Sequence, residues 1–221
     1  MMKSYLPAKY NTWVAIILIV ALFLKDYKFA LSFFVFYLAI YFVLRKGRND
    51  FRDDQVSTKG VIFSPCHGKI INIEKGISHV AYGDHLTEIQ IMIPWWKEFG
   101  IYLPLSSEVK NIIVHKGRSF FRYLKASEVV GTGIGKGLSI ALDNWGETIG
   151  LTLYKCRIGL WPDILIMPGD KGGRRVNVGY FPLGGTVILY LPEKYEILIN
   201  IEDEISAGES IIAVLPETAK V

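Results

Sequence analysis

Two long apolar runs near the start of the chain constrain its fold more than any other feature. The first extends from Trp13 to Leu24 and the second from Phe29 to Leu44, and neither contains a charged residue. As helices they would be roughly 18 and 24 Å long, whereas the hydrocarbon core of a bilayer is about 30 Å thick. We therefore expect residues 1–50 to form a helical hairpin that either barely spans a membrane or re-enters one leaflet.

The charges beside these runs predict how the hairpin is oriented. A basic cluster directly follows the second run, and such clusters remain on the cytoplasmic side of a membrane. A hairpin has both ends on one side, so we expect the remainder of the chain to be a soluble domain on the cytoplasmic face of an inner or plasma membrane. The residues expected to anchor it are Trp13, Leu24, Phe29, Leu44, Arg45, Lys46 and Arg48.

Two other interpretations of the N-terminal segment are open to a sequence of this kind. A cleaved signal peptide is disfavoured because the second apolar run follows at once, with no small-residue cleavage pattern between the two. The other alternative is a pair of buried core helices in a soluble protein.

The distribution of charge excludes one class of partner. Residues 1–56 contain eight Lys/Arg and four Asp/Glu, while residues 57–221 contain seventeen of each. A balanced domain lacks the basic face that nucleic-acid binding requires, so we expect no nucleic-acid partner. The two cysteines, Cys66 and Cys156, are too few for a disulfide framework.

Residues 51–221 have the pattern of a β-rich, mainly β domain. Short β-branched runs alternate with Gly, Pro and Asp turns, which favours tight connections and a barrel-like arrangement. A short helix over 155–166 is the alternative for one stretch, although Pro162 would interrupt it. The expected strands cover 60–63, 69–74, 88–93, 109–114, 138–142, 148–154, 186–191 and 211–214.

Several short motifs in this domain occur in a recognisable order. They are Phe51-Arg52-Asp53, Ser64-Pro65-Cys66-His67-Gly68-Lys69, His115-Lys116-Gly117-Arg118-Ser119-Phe120, Pro168-Gly169-Asp170, the segment 178–186 with Tyr190-Leu191-Pro192 after it, and the segment 207–213. In order and spacing over 51–214, they resemble the phosphatidylserine (or archaetidylserine) decarboxylase family in its short, membrane-anchored form. The resemblance implies that family's fold and a phospholipid substrate.

The resemblance also implies a specific chemistry, because decarboxylation needs an electron sink for the carbanion left behind. In this family a serine after glycine attacks the preceding carbonyl, the chain breaks, and the serine becomes a pyruvoyl group. That step needs a hydroxyl, a base and an orienting carboxylate. The resemblance places the carboxylate at His67, the histidine at Phe99 and the serine at Gly185.

All three family positions are therefore replaced. Gly185 has no side chain, so no pyruvoyl cofactor can form there, and Phe99 cannot accept a proton. Thr186 is the fallback nucleophile, since cleavage before it would leave a 2-ketobutyryl group. A shift of one residue along a strand turns the side chain to the other face. This disfavours Thr186 as a replacement for the missing serine.

Other candidate sites are better interpreted as structural features than as catalytic or binding sites. Four histidines occur near acidic residues, but without a diagnostic spacing we predict no metal site. The Gly-rich segment 131–137 lacks the spacing of a phosphate loop and is interpreted as a flexible loop. Trp95-Trp96 is consistent with a lipid interface or with a core position. The histidines are His67, His79, His85 and His115.

These observations lead to one functional hypothesis and two alternatives. We expect a membrane-anchored pseudoenzyme that binds a phosphatidylserine-type lipid head group or acts as an assembly subunit in a homo- or hetero-oligomer. The first alternative is an active phospholipid decarboxylase, a lyase, or another lipid-modifying enzyme, with Thr186 as a relocated nucleophile. The second is a structural membrane protein whose partners are other chains.

Overall fold

The computed structural model divides the chain into two compact units, Met1–Arg48 and Asn49–Val221. The residues that it describes are 8–23, 27–43, 60–94, 97–117, 136–144, 146–156 and 159–216. Each unit is described by itself below.

The described part of the first unit consists of two helices, as the apolar runs predict. Helix α1 covers Ala8–Phe23 and α2 covers Tyr27–Val43, and the two contact each other. Ala30 is buried, whereas Trp13 and Phe29 are more than half exposed. Within the described residues, neither helix combines the length and apolar character needed to cross a membrane. The anchor residues Leu24, Leu44, Arg45, Lys46 and Arg48 lie outside the described residues.

The second unit is built from strands. Those described are β1 (Val61–Phe63), β2 (Gly68–His79), β3 (Gly83–Ile93), β4 (Gly100–Tyr102), β5 (Ser107–Lys116), β6 (Lys136–Asn144), β7 (Glu147–Lys155), β8 (Asp163–Ile164), β9 (Lys171–Gly172), β10 (Asn177–Tyr180), β11 (Gly185–Pro192), β12 (Glu196–Ile197), β13 (Glu204–Ile205) and β14 (Ile211–Val214). All eight expected strands are confirmed. The helix considered over 155–166 is wrong for the described part of that stretch, which contains β8 and no helix.

The main sheet is antiparallel and has eight strands in the order β13-β2-β3-β11-β7-β6-β5-β9. Among the described strands, β13 and β9 are its two edges and do not pair with each other, so the sheet is open and the barrel-like expectation is wrong. Two smaller sheets have the orders β1-β14-β12 and β4-β10-β8.

The two faces of the main sheet differ in chemistry because successive strand residues point to opposite sides. Along β3, Ile89, Ile91 and Ile93 lie on one face, and the β11 and β7 partners of the first two are also aliphatic. Glu88 and Gln90 lie on the other face, yet they too are fully buried. The sheet therefore carries one aliphatic face and one polar, aromatic face.

Candidate functional site

The three family-equivalent positions lie at the ends of strands, two of them in the main sheet and one beside the small sheet that contains β4. His67 immediately precedes β2, Phe99 immediately precedes β4, and Gly185 is the first residue of β11. In the sheet register, Gly185 lies between Ile93 on β3 and Lys155 on β7. These are loop and strand-end positions, where a rigid sheet usually presents its functional groups.

His67 is held by hydrogen bonds on both ring nitrogens. Its Nδ1 accepts the Ala207 backbone N–H at 3.3 Å, so the ring proton must be on Nε2. The Nε2 lies 3.2 Å from Oε2 of Glu98 and donates to it. His67 therefore has its acceptor nitrogen occupied, and its donor nitrogen points at a carboxylate.

The other carboxylate oxygen of Glu98 is occupied as well. The Tyr102 hydroxyl donates to Oε1 of Glu98 at 2.6 Å. Burial, together with this negative neighbour, raises the pKa of Tyr102 above its ordinary value. The result is a linked group of three side chains, His67, Glu98 and Tyr102, in which the tyrosine stays protonated.

Phe99 occupies a buried position and contributes through its backbone. Its carbonyl accepts the N–H of Phe181 at 2.7 Å, and the side chain is 1% exposed. This contact fixes Phe181, whose ring packs against Gly185. The predicted positions His67, Phe99 and Gly185 are thus connected through Glu98 and Phe181.

Gly185 is enclosed on the side where a side chain would project. A Cβ built there would lie 2.5 Å from the Cζ of Phe181 and 2.6 Å from the carbonyl oxygen of Tyr154. Real Cβ contacts are not this short, so a serine would require the Phe181 ring or the β7 backbone to move. The site lacks the space for a serine side chain as well as the hydroxyl itself.

The residue before Gly185, Gly184, must also be glycine. Its φ is +73°, and a Cβ there would lie 2.0 Å from the Ile93 carbonyl oxygen. Only glycine combines that backbone conformation with so close an approach.

Thr186 lies on the opposite face of β11 from the Gly185 Cβ direction. It is 2% exposed, and its register partners are Met92 and Tyr154. The fallback hydroxyl is therefore buried on the polar face of the sheet, away from the Phe181 ring.

A thiol that the sequence did not single out lies close to the Gly184–Gly185 peptide bond. The Sγ of Cys156 is 3.9 Å from the Gly184 carbonyl oxygen and accepts the Gly159 N–H at 3.2 Å. Nothing in the local sequence relates Cys156 to Gly184, which is 28 residues further along the chain. Cys66 is fully buried, which raises the pKa of its thiol.

The remaining sequence candidates do not converge on a site. No group of three or more metal-ligating side chains occurs in the part of the chain that the structure describes. His85 is highly exposed and lies 4.0 Å from Glu193, while His79 and His115 belong to the polar face of the sheet. Trp95, Trp96 and most of the Gly-rich segment lie outside the described residues.

Comparison with known proteins bears on the identity of this site. No family model matches the chain. A phosphatidylserine decarboxylase proenzyme of Desulfotalea psychrophila is 29% identical over 189 residues, covering 81% of this chain and 82% of that protein. A protein of the same name from Parabacteroides distasonis is 23% identical over 174 residues, covering 77% of this chain and 76% of its own length. The resemblance to the phosphatidylserine decarboxylase family is confirmed.

Proposed function

We propose that this relative of the phosphatidylserine decarboxylase proenzymes is a non-catalytic, membrane-associated protein that binds a phosphatidylserine-type lipid head group. The observation that carries the proposal is the enclosure of Gly185 by the Phe181 ring and the Tyr154 carbonyl. Without a hydroxyl at this position, the self-cleavage that creates the family's electron sink has no nucleophile.

The two residues that would activate such a hydroxyl, a base and its orienting carboxylate, are also replaced. Phe99 has no proton acceptor on its side chain. His67 has its Nδ1 lone pair engaged by Ala207 and its other nitrogen engaged by Glu98. A general base must offer a free lone pair to the proton that it removes, so His67 is not suited to self-processing.

Membrane association rests on the character of the first unit. Large apolar side chains are exposed along both helices, with Trp13 at 63% and Leu31 at 66%. Exposed apolar area of this extent marks a surface that contacts lipid or another chain. We propose that α1 and α2 attach the chain to the cytoplasmic face of the membrane, and that residues 51–221 form the head-group-binding domain. A homo- or hetero-oligomer is compatible with the same surface.

The second candidate function is a self-processing lyase with a relocated nucleophile, and the Cys156 thiol beside the Gly184 carbonyl is the nucleophile closest to the expected cleavage site among those the structure describes there. Attack of Sγ on that carbonyl would form a thioester, release the amine of Gly185 and split the chain. The new terminus would be a plain glycine, which has no hydroxyl to eliminate and gives no keto group. Only cleavage before Thr186 would yield a ketoacyl terminus, and its hydroxyl lies on the other face of β11.

Vesicle flotation tests the head-group assignment. The full-length chain is mixed with phosphatidylcholine vesicles that contain or lack phosphatidylserine. We expect tighter binding to the serine-containing vesicles, competed by soluble glycerophosphoserine. His67→Gln should lose this preference and the matched control His85→Gln should keep it, because His85 is remote from the Gly185 region. Equal binding to both vesicle types by the unmodified chain would overturn the head-group proposal.

A further inference from the structure

Large apolar side chains are exposed on the second unit, on and beside β8. Met167 is 72% exposed, and the other four members of this group are between 40% and 57% exposed. Single exposed apolar residues are ordinary on a protein surface, whereas a group of them marks a surface that contacts lipid or another chain. We call this group the 160–176 patch, and it consists of Leu160, Trp161, Leu165, Met167 and Val176.

Backbone pairing brings the members of the patch together. β8 pairs antiparallel with β10, and the Leu165 N–H donates to the Val178 carbonyl at 2.9 Å. Because the two segments run in opposite directions, Met167 lies toward Val176, which immediately precedes β10. Among the described strands, β8 is at the edge of its small sheet, so no neighbouring strand covers its outer side.

The patch begins beside the candidate site. The Leu160 N–H donates to the Pro182 carbonyl at 3.2 Å, and Pro182 precedes Gly185 by three residues. The next residue back from Leu160, Gly159, donates its N–H to the Cys156 thiol. A lipid head group bound near Gly185 would therefore have exposed apolar side chains close by.

Basic residues accompany the patch. Residues 155–176 contain five Lys/Arg and two Asp/Glu, although residues 57–221 as a whole are balanced. The Lys171 side chain is 77% exposed, with its Nζ 3.4 Å from Glu108. Of the two acidic residues, Asp163 is exposed and Asp170 accepts the Met167 N–H at 2.8 Å. The local charge is therefore positive where the apolar side chains are exposed.

This charge decides between the two occupants that an apolar patch can have. In a two-fold symmetric dimer the same surface lies on both sides of the interface, so the basic excess would face itself, and like charges placed opposite each other oppose association. An anionic phospholipid surface instead attracts basic residues. It also suits Trp161, because tryptophan is enriched where a membrane meets water.

We propose that the 160–176 patch contacts the surface of an anionic phospholipid bilayer, with Trp161, Leu165 and Met167 among the lipid head groups and Lys171 near their phosphates. This contact is additional to α1 and α2. It rests on the membrane association proposed above and does not depend on recognition of a serine head group.

A fluorophore attached at position 167 tests the contact. Met167→Cys is made in a full-length Cys156→Ser chain, and the Cys156→Ser chain alone measures any labelling of the fully buried Cys66. The labelled chain is bound to phosphatidylcholine vesicles that contain phosphatidylglycerol and carry a nitroxide quencher on their acyl chains. We expect the nitroxide to remove most of the emission from position 167.

Val80→Cys in the same background is the matched control. Val80 is highly exposed between β2 and β3, whereas Gly185 pairs with Ile93 at the far end of β3, roughly 30 Å away along the strand. A label at position 80 should keep its emission. Equal quenching at positions 80 and 167 would overturn the proposal.

A charge reversal tests the role of the basic residues. Lys171→Glu should reduce quenching at position 167 in vesicles that contain phosphatidylglycerol, because it opposes the anionic surface. Lys194→Glu is the matched control, since Lys194 also pairs with a glutamate, Glu147, but follows the opposite end of β11 from Gly185. Lys194→Glu should leave the quenching unchanged. Equal losses in the two variants would contradict a local contact at the patch.

The remaining outcomes separate this inference from the proposed function. A chain that binds the vesicles without quenching at position 167 overturns the inference and leaves membrane association through the first unit in place. A chain that does not bind the vesicles overturns both. Efficient disulfide cross-linking of two chains through position 167, without quenching by lipid, would assign the patch to a second copy and overturn the inference.

Discussion

The Nε2 of His67 donates to the Oε2 of Glu98 across 3.2 Å. The family resemblance places a carboxylate where this chain has His67, and a histidine at Phe99, next to Glu98. In this chain the histidine stands at the expected carboxylate position, and the carboxylate that it contacts belongs to the residue before the expected histidine position. This contact connects the two loops, and with Nδ1 accepting the Ala207 N–H, His67 offers no free lone pair to a proton near Gly185.

Glu98→Gln should lower the free energy of unfolding by about 1 kcal/mol, because the hydrogen bonds to His67 and Tyr102 lose their charged acceptor. Urea unfolding measures the change. A double-mutant cycle with His67→Gln should give a non-zero coupling energy, whereas His85→Gln combined with Glu98→Gln should be additive. Additivity in both cycles would contradict the structural link.

Gly185→Ser should leave the chain uncleaved and destabilise it by about 1–3 kcal/mol, since the added side chain overlaps Phe181 and Tyr154. Gly185→Ala is the matched control and should destabilise to a similar extent, because the cause is steric. Intact mass and denaturant unfolding are the measurements. A cleaved Gly185→Ser chain would show that space and activation at this position are still adequate.

The stability of the chain should fall as the pH drops below about 6.5. Burial lowers the pKa of His115, and burial together with His115 lowers that of His79. Both groups prefer to be neutral in the folded state. Their stabilisation is therefore fully present above the unfolded pKa and is lost as the pH falls from there through the lowered folded values.

The pH effect can be isolated from that of a neighbouring group. Glu88 lies on the same polar face of the main sheet as His79, and burial raises its pKa. Its contribution to the free energy of unfolding therefore changes in the opposite direction as the pH falls. In a Glu88→Gln background, His79→Gln should reduce the dependence of the unfolding temperature on pH between about 7.5 and 5.5. An unchanged slope would show that His79 does not titrate differently on folding.

Val35→Arg should reduce the membrane-bound fraction of the full-length chain. Val35 lies at the middle of α2 and is 58% exposed, and arginine at the centre of an inserted helix is unfavourable by about 2.5–3.5 kcal/mol. Fractionation of cell membranes gives the measurement. Val80→Arg, at a 97% exposed position of the second unit, is the control. Equal membrane fractions for the two variants would contradict an anchoring role for α2.

Local patterns predict the elements of this fold but not the way they meet. The alternation Glu88-Ile89-Gln90-Ile91 is a strand signal whatever lies beside it, and the apolar runs of α1 and α2 follow from composition. The open form of the main sheet depends on which strands pair over long separations, so it could not be read from the sequence.

The sequence proposes positions for the candidate site but says nothing of their contacts. The family motifs identify His67 and Gly185, and the loss of the hydroxyl follows from Gly185 alone. The Phe181 ring fills the space at Gly185 because of the conformation of the turn between β10 and β11, which the motifs do not specify. The contacts His67–Glu98 and Cys156–Gly184 join distant segments, which no local spacing could relate.

Intact mass spectrometry of the full-length chain purified from membranes tests the central claim most directly. We predict one species at the full 25.0 kDa, with no adduct after reductive amination, because no keto group forms at Gly185. Two fragments divided at Gly184-Gly185 or Gly185-Thr186, one of them with a blocked keto terminus, would contradict the claim and identify an active self-processing enzyme.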